Sequence, residues 1–284
     1  MHIFFGIIMD CKKLKNQLIE LFNNNGLSDD ISDIDWIMVE VLGISRSALA
    51  FAGEISKENY NKIMSAINQR LKHVPIAYIF GKTNFYGYDF KVNKNVLIPR
   101  MDTEILVEAL IKDIKNQERQ LSVLDIGTGS GAIIITIAKE TNTECIAVDI
   151  SKEALEVALQ NANDLKANVK FIHSDLFKNV DFKVDFIVSN PPYIETDICN
   201  TLDKEVRLNE PILALDGGVD GLDFYKKIIA EAPNYLNNGG KLYFEIGYNQ
   251  ADAVKSLMEK DFKDIIVLKD YGKNDRVVFG TRRD

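Results

Sequence analysis

Residues 123–132 read VLDIGTGSGA, and this stretch decides how the 284-residue chain folds. An apolar run of the kind found in a buried strand ends at Ile126. Gly127, Gly129 and Gly131 follow before a helical pattern starts at Ala132. Glycine lets the backbone turn tightly and approach a bound group, while the start of the helix presents free N–H groups. The stretch therefore predicts a nucleotide-type site at the carboxyl end of a strand.

Further along, strand-like and helix-like segments keep alternating. CIAVDI (145–150), VKFIHSD (169–175) and VDFIVSN (184–190) read as strands, with helices expected over 132–140 and 152–165. Such alternation predicts βαβ units, hence an α/β doubly wound, mostly parallel sheet with helices on both faces. Toward the end, 241–246 and 264–268 precede NDRVVFGTR (274–282), which predicts a terminal hairpin that adds an antiparallel strand.

The first eighty residues follow a different rule. Leu14, Leu18, Leu21 and Phe22 recur at helical spacing until Asn23-Asn24-Asn25-Gly26. Ser32 with Asp35 forms a capping-box pattern, and Ser56 opens a helix expected to close near Pro75. This predicts a small helical domain over 1–77. An aromatic, glycine-punctuated hairpin linker is expected over 78–99, and the sheet domain over 100–284. Through Phe80 there are eight Lys or Arg against nine Asp or Glu, so no basic patch is written there. The opening MHIFFGII is too short to span a membrane and lacks a cationic lead; the helical pattern begins only after Met9, which suggests a later start.

Whole-chain charge narrows the function classes. Lys plus Arg total 34 against 42 Asp plus Glu, a formal net charge of -8, which weighs against a protein that binds by neutralising phosphates. Three cysteines (Cys11, Cys145, Cys199) and three histidines (His2, His73, His173) are scattered without metal-ligand spacing. No metal site and no disulfide framework is expected, and a reducing, cytoplasmic setting is.

The glycine loop fits G-x-G-x-x-A as well as G-x-G-x-G, so alone it does not separate a dinucleotide from S-adenosylmethionine. Its partner is Asp149, at the end of the next strand, where a carboxylate can accept from both ribose hydroxyls. Asp125 is expected mainly to hold the loop. In SDLF (174–177), Asp175 is placed to accept from an adenine amine and Phe177 to pack on the ring face.

The strand at 184–189 then stops at Asn190-Pro191-Pro192-Tyr193. Two prolines in a row cannot donate to a sheet ladder and force extended geometry on what precedes them. Such rigidity suits a substrate NH2 group on a planar carbon, whose lone pair is delocalised. The Asn190 side-chain oxygen and the Pro191 carbonyl can accept its two N–H bonds, aim the nitrogen and favour positive charge developing on it. Tyr193 would supply an aromatic face.

With these residues in place, the chain closely resembles the peptide chain release factor glutamine methyltransferases. The resemblance rests on RLKHVPIAYIFG, NFYGYDFKV, LIPRMDTEILVE, LDIGTGSGAI, AVDISKEAL, SDLF, SNPPYI, LALDGGVDGLDFYKKII and NNGGKLYFEIGYNQ, in the family's order from about residue 70 to the end. It implies a seven-stranded Rossmann-like methyltransferase domain preceded by a helical substrate-recognition domain. The implied reaction is methyl transfer from S-adenosylmethionine to the glutamine side chain of the Gly-Gly-Gln loop in class one release factors. Carried over, Gly127, Thr128, Gly129, Ser130, Gly131, Asp149, Asp175, Phe177 and Asn190 would contact cofactor. Asn190, Pro191, Pro192 and Tyr193 would hold the glutamine. A monomer with a protein substrate, no nucleic acid and no membrane is expected. Roles for Arg100, Asp102, Thr103 and Glu104 at the entrance, and for Glu245, stay open. The rival readings are methylation of a ribosomal-protein glutamine or of a nucleobase amine, an NAD-dependent oxidoreductase, and a binding module with a relic pocket.

Overall fold

The apolar run at 122–126 forms strand β1 (Ser122–Ile126), and its side chains alternate between two cores. Val123 packs on one side with Cys145, Ala147, Phe186 and Val188, while Leu124 and Ile126 pack on the other with Ile146, Val148 and Ile187. A strand covered on both faces must be apolar at successive positions, which is why the sequence shows no polar alternation there.

The other strands are β2 (Glu144–Asp149), β3 (Val169–His173), β4 (Val184–Ser189), β5 (Leu236–Glu245), β6 (Phe262–Lys269) and β7 (Asp275–Arg282). They form one seven-stranded sheet in the order β6-β7-β5-β4-β1-β2-β3. Strand β7 is antiparallel to both neighbours, and the other pairs are parallel. Helices α1 (Thr103–Lys115) and α2 (Ala132–Glu140) send Leu106, Leu110, Ile134 and Ile135 into the first core. Helices α3 (Lys152–Leu165), α4 (Asp223–Tyr235) and α5 (Ala251–Met258) complete the layers, α4 and α5 giving Tyr225, Ile228, Val254 and Met258 to the second core. The chain steps from β1 outward to β3 and then returns to β4 on the other side of β1. That reversal opens a crevice at the carboxyl ends of β1 and β4.

The computed structural model describes residues 9–284, so the expectations for MHIFFGII lie outside the described residues. Contacts divide the chain into two units, Met1–Phe80 and Gly81–Asp284. In the first, helices Cys11–Asn24, Ile31–Leu42 and Lys57–Arg70 bury Leu14, Leu18, Phe22, Ile34, Ile37, Ile63 and Ile67. Asp10 and Ser56 cap two of them, accepting from the Lys13 and Asn59 N–H groups at 2.8 and 3.2 Å. The expected Ser32 cap is not made, because a 3-10 turn over Ser28–Asp30 leads into that helix and places Ser32 inside it. The Ser56 helix ends at Arg70, earlier than Pro75, where the chain turns through His73 at φ 62°. Buried Arg70 pairs with Asp33 at 2.6 Å and Asp30 at 3.2 Å.

The hairpin differs from expectation at its start. Residues 78–80 finish a short helix, Ile76–Phe80, and the paired strands are Lys82–Phe85 and Tyr88–Lys91. Tyr86 and Gly87 turn between them with φ of 52° and 78°, both positive, as a two-residue hairpin turn requires. Phe85 and Phe90 sink into the first core. The buried Asn161 of α3 ties this hairpin to the glycine loop: its Oδ1 accepts from Lys91 N–H at 2.7 Å, and its Nδ2 donates to the carbonyls of Lys91 at 3.0 Å and Ser130 at 2.9 Å. Replacing Asn161 with Leu orphans these backbone groups, a loss of roughly 1–3 kcal/mol for each one left unsatisfied. Urea unfolding of Asn161→Leu is therefore expected to show a clearly lowered midpoint at unchanged slope, and a midpoint equal to wild type would contradict the tie.

Candidate active site

Four parallel strands end level with one another. The register pairs Ile126 of β1 with Val148 of β2 and Ser189 of β4, and Ser189 with Phe244 of β5. The next residues in each case, Gly127, Asp149, Asn190 and Glu245, therefore meet at one edge of the sheet. Beside them lies a cavity of about 590 Å³.

The glycines are there for different reasons. Gly127 and Gly129 line the cavity with φ of 74° and 57°, and a Cβ on either would enter open space. A left-handed backbone on the cavity wall leaves room for a ligand against the chain. Gly131 does not line the cavity; at φ 82° its added Cβ would stand 2.6 Å from Ile135 Cδ1 and 3.2 Å from Ala158 Cβ. The absence of a side chain at Gly131 lets α2 pack closely against α3. Thr128 and Ser130 do line the cavity.

Asp149 faces the cavity and also sets the loop. Its Oδ2 accepts from Gly129 N–H at 2.8 Å and its Oδ1 from Ser151 N–H at 2.9 Å. Burial raises its pKa, opposed by these backbone donors. Each carboxylate oxygen retains a second lone-pair site, so two hydroxyls of a ribose can still be accepted. One strand over, Asp175 and Leu176 line the cavity, whereas Phe177 lies in the second core, stacked on Tyr235 with centroids 4.4 Å apart. Of the two adjacent apolar residues, Leu176 meets the cavity and Phe177 the core. The reason is the backbone: Leu176 turns at φ 47°, held by Ser174 Oγ donating to its carbonyl at 2.8 Å, and this sends the next side chain inward.

Asn190, Pro191 and Pro192 also line the cavity, so one space touches both the glycine loop and the proline turn. The structure does not place Tyr193 on that wall. Its ring packs against the second core, and burial pushes its hydroxyl up to about 12. Its backbone is clamped by residues whose purpose spacing alone does not reveal. Gln250 Nε2 donates to the Tyr193 carbonyl at 3.0 Å and to the Gly221 carbonyl at 3.2 Å. A Cβ at Gly217 would lie 2.7 Å from Tyr193 Cα, and one at Gly221 would lie 2.4 Å from the Tyr193 carbonyl oxygen. Ile194 N–H donates to Leu215 and Gly217 N–H to Ile194, at 3.0 and 2.8 Å. The GGVDG segment is thus the second wall of the proline turn.

At the entrance, Arg100 and Thr103 line the cavity, and Arg100 Nη2 pairs with buried Glu210 at 2.5 Å. Asp102 makes no side-chain cap on α1; it pairs instead with Arg276 at 3.3 Å. Glu104 accepts from Tyr86 N–H at 2.8 Å, which fixes the hairpin turn. Among the described residues no cluster of His, Cys, Asp and Glu could hold a metal ion.

A glycine loop after β1, an acid after β2 and Asn-Pro-Pro-Tyr after β4, on a sheet of this order, define a Rossmann-like methyltransferase. Residues 100–206 match the family model described as Methyltransferase small domain, and residues 13–81 match PrmC N-terminal domain. The chain is 43% identical over 276 residues to the Release factor glutamine methyltransferase of Fusobacterium nucleatum subsp. nucleatum, covering 94% of this chain and 77% of that protein. It is 42% identical over 247 residues to the protein of the same name from Bacillus subtilis, with 83% and 86% covered. The chain belongs to the release factor glutamine methyltransferase family. A crystal structure of a methyltransferase from Pyrococcus furiosus, 22% identical, superposes with a TM-score of 0.52 over 69% of this chain and 90% of that one, and shares the fold.

Asp125, buried beneath the loop, accepts from Thr128 Oγ1 at 2.7 Å, and desolvation raises its pKa to about 7. Its native carboxyl binds a proton more tightly than the unfolded chain does. Its stabilising contribution is complete below the unfolded value and is lost as pH rises through about 7. Asp125→Asn keeps an acceptor for Thr128 and removes that loss. Urea unfolding should show the variant gaining on wild type as pH rises from about 4 to about 7, and a variant that loses ground to wild type over this range would contradict the assignment.

Proposed function

We propose that this chain transfers the methyl group of S-adenosylmethionine to the side-chain amide nitrogen of the glutamine in the Gly-Gly-Gln motif of class one peptide chain release factors. The observation that carries this is the single cavity shared by the glycine loop, Asp149 and Asn190 to Pro192. Family membership supports the substrate, since the curated relatives are named for release factor glutamine methylation.

The open, left-handed backbone at Gly127 and Gly129 and the cavity-facing carboxylate of Asp149 suit a nucleoside with its ribose against the loop. Thr128 and Ser130 would flank it, and Asp175 and Leu176 would meet the adenine. Bound S-adenosylmethionine supplies an electrophilic methyl group on a sulfonium centre. The protein's part is to present the glutamine nitrogen. Asn190 Oδ1 and the Pro191 carbonyl accept its two N–H bonds, holding the nitrogen in line and stabilising the positive charge that grows on it. Pro192 fixes the angle between the two acceptors, and Tyr193 anchors the turn from behind. The segment Asn190 to Tyr193 contains no His or Cys to act as a base, and a methylated amide nitrogen is acidic enough to release its proton to water.

The helical domain, residues 1–77, would recognise the release factor. Its near balance of charge suits a protein surface better than a phosphate backbone. The enzyme would work in the cytoplasm as a monomer, without binding nucleic acid; the overall charge of -8 weighs against phosphate binding and the three buried free cysteines suit a reducing compartment. No helix among the described residues is long and apolar enough to cross a membrane.

The test is peptide mass spectrometry of a purified release factor incubated with the chain and S-adenosylmethionine. One added methyl on the Gly-Gly-Gln glutamine is expected. With Asn190→Ala the rate should fall at least about a hundredfold, the size of effect seen when a transition-state hydrogen bond is removed. Cofactor binding without methylation of that glutamine would move the substrate to a ribosomal protein or a nucleobase.

A further inference from the structure

An asparagine side chain has two ends of nearly equal size and opposite character, one accepting and one donating. A substrate amide that offers two N–H groups needs the accepting end. Something must therefore decide which way the Asn190 amide faces.

Two buried groups stand where that decision is made. The pairing of Ser189 with Phe244 sets Asn190 and Glu245 side by side at the ends of adjacent parallel strands. Glu245 is 2% exposed, and its Oε2 has no hydrogen-bond partner among the described residues. Thr103, at the start of α1 and 4% exposed, receives Asn190 Nδ2 on its Oγ1 at 3.4 Å. The Thr103 hydroxyl and the Asn190 amide are also the polar neighbours that favour the charged form of Glu245.

We infer that Glu245 and Thr103 are positioning residues that turn the NH2 of Asn190 into the protein and so leave its Oδ1 facing the substrate amide. A carboxylate only accepts hydrogen bonds, so the reversed amide would set oxygen against oxygen on the protein side and NH2 against N–H on the substrate side. The inference rests on the role proposed above for Asn190 as an acceptor.

Other charges near Glu245 do not take over its free oxygen. Arg276 of β7 faces it but is held by Asp270 at 3.0 Å and Asp102 at 3.3 Å. Tyr225 of α4 donates to the backbone carbonyl of Glu245 at 2.8 Å, leaving the carboxylate alone. Asp102 adds a like charge that favours the protonated form of Glu245, and Tyr193 is a further titratable neighbour that burial keeps neutral up to about 12. Desolvation, the largest influence on Glu245, raises its pKa to about 7, opposed by Thr103, Arg276 and Asn190. Once protonated it carries an O–H that can donate to Asn190 Oδ1, so the reversed orientation becomes available on the acid side.

The test uses the full chain, a purified release factor and S-adenosylmethionine, with Thr103→Val, Thr103→Ser and Glu245→Gln. It measures kcat, KM for the release factor, cofactor Kd by calorimetry, and the kcat–pH profile. Thr103→Val keeps the shape and loses the acceptor, so kcat should fall roughly 10- to 100-fold with KM and Kd nearly unchanged, and Thr103→Ser should restore most of it. Glu245→Gln should lower kcat similarly at about pH 8 and abolish the wild-type fall in kcat below about pH 7. The reverse ranking, with Val active and Ser impaired, would show a packing role and overturn the inference. A Glu245→Gln enzyme with wild-type kcat and an intact acid limb would overturn it too. If Glu245→Gln does not fold, the Thr103 pair decides. Absence of methyl transfer by wild type would overturn the parent function and this role with it, whereas active wild type with indifferent variants overturns the positioning role only.

Discussion

The site depends on the register of four parallel strands. Val148, Ile126, Ser189 and Phe244 lie abreast across β2, β1, β4 and β5, so the residues that follow them reach the same edge together. Side chains alternate faces along a strand, and a slip of one residue in any pair would carry its functional residue to the wrong side and invert the core packing. Because both faces of these strands are buried, that slip would expose or misplace a full set of apolar side chains. The hydrophobic cores thus enforce the alignment of Gly127, Asp149, Asn190 and Glu245. Stability and the placing of these four residues at one edge are specified by the same contacts.

On this edge, rigidity is built from the backbone outward. The two prolines remove the N–H groups that could extend β4, and the turn they start is pressed against Gly217 and Gly221, where even a methyl group would collide. Gln250 holds the Tyr193 and Gly221 carbonyls together, and its own Oε1 accepts from Gly247 N–H at 2.9 Å. On the other side, Asp149 fixes Gly129 and Asn161 fixes Ser130. A methyl transfer that relies on aim, with no base or metal proposed, needs both walls held in this way.

Much of this was written plainly in the sequence. VLDIGTGSGA, AVDI and VSNPPY each join an apolar run to a residue type with one strong local meaning, so strand, loop and the residue placed at the strand end were legible together. What escaped depended on contacts between distant segments. Phe177 and Leu176 are adjacent apolar residues, and only the positive φ at Leu176 decides which one meets the cavity. Gly131 looks like the other loop glycines until Ala158, from the next helix, is seen beside it. Gly217, Gly221 and Gln250 carried no chemical meaning of their own, because their partner is the proline turn some sixty residues away or less. The Ser32 cap failed because a local pattern was overridden by the 3-10 turn before it.

The central claim is that Asn190 and Pro191 present two fixed acceptors to a planar NH2 group beside the cofactor cavity. A crystal structure of this chain with S-adenosylhomocysteine and a Gly-Gly-Gln peptide tests it most directly. Asn190 Oδ1 and the Pro191 carbonyl are each expected about 3 Å from the glutamine amide nitrogen, with the nucleoside against Gly127, Gly129 and Asp149. A glutamine amide bound elsewhere, or one that meets the donating end of Asn190, would contradict it.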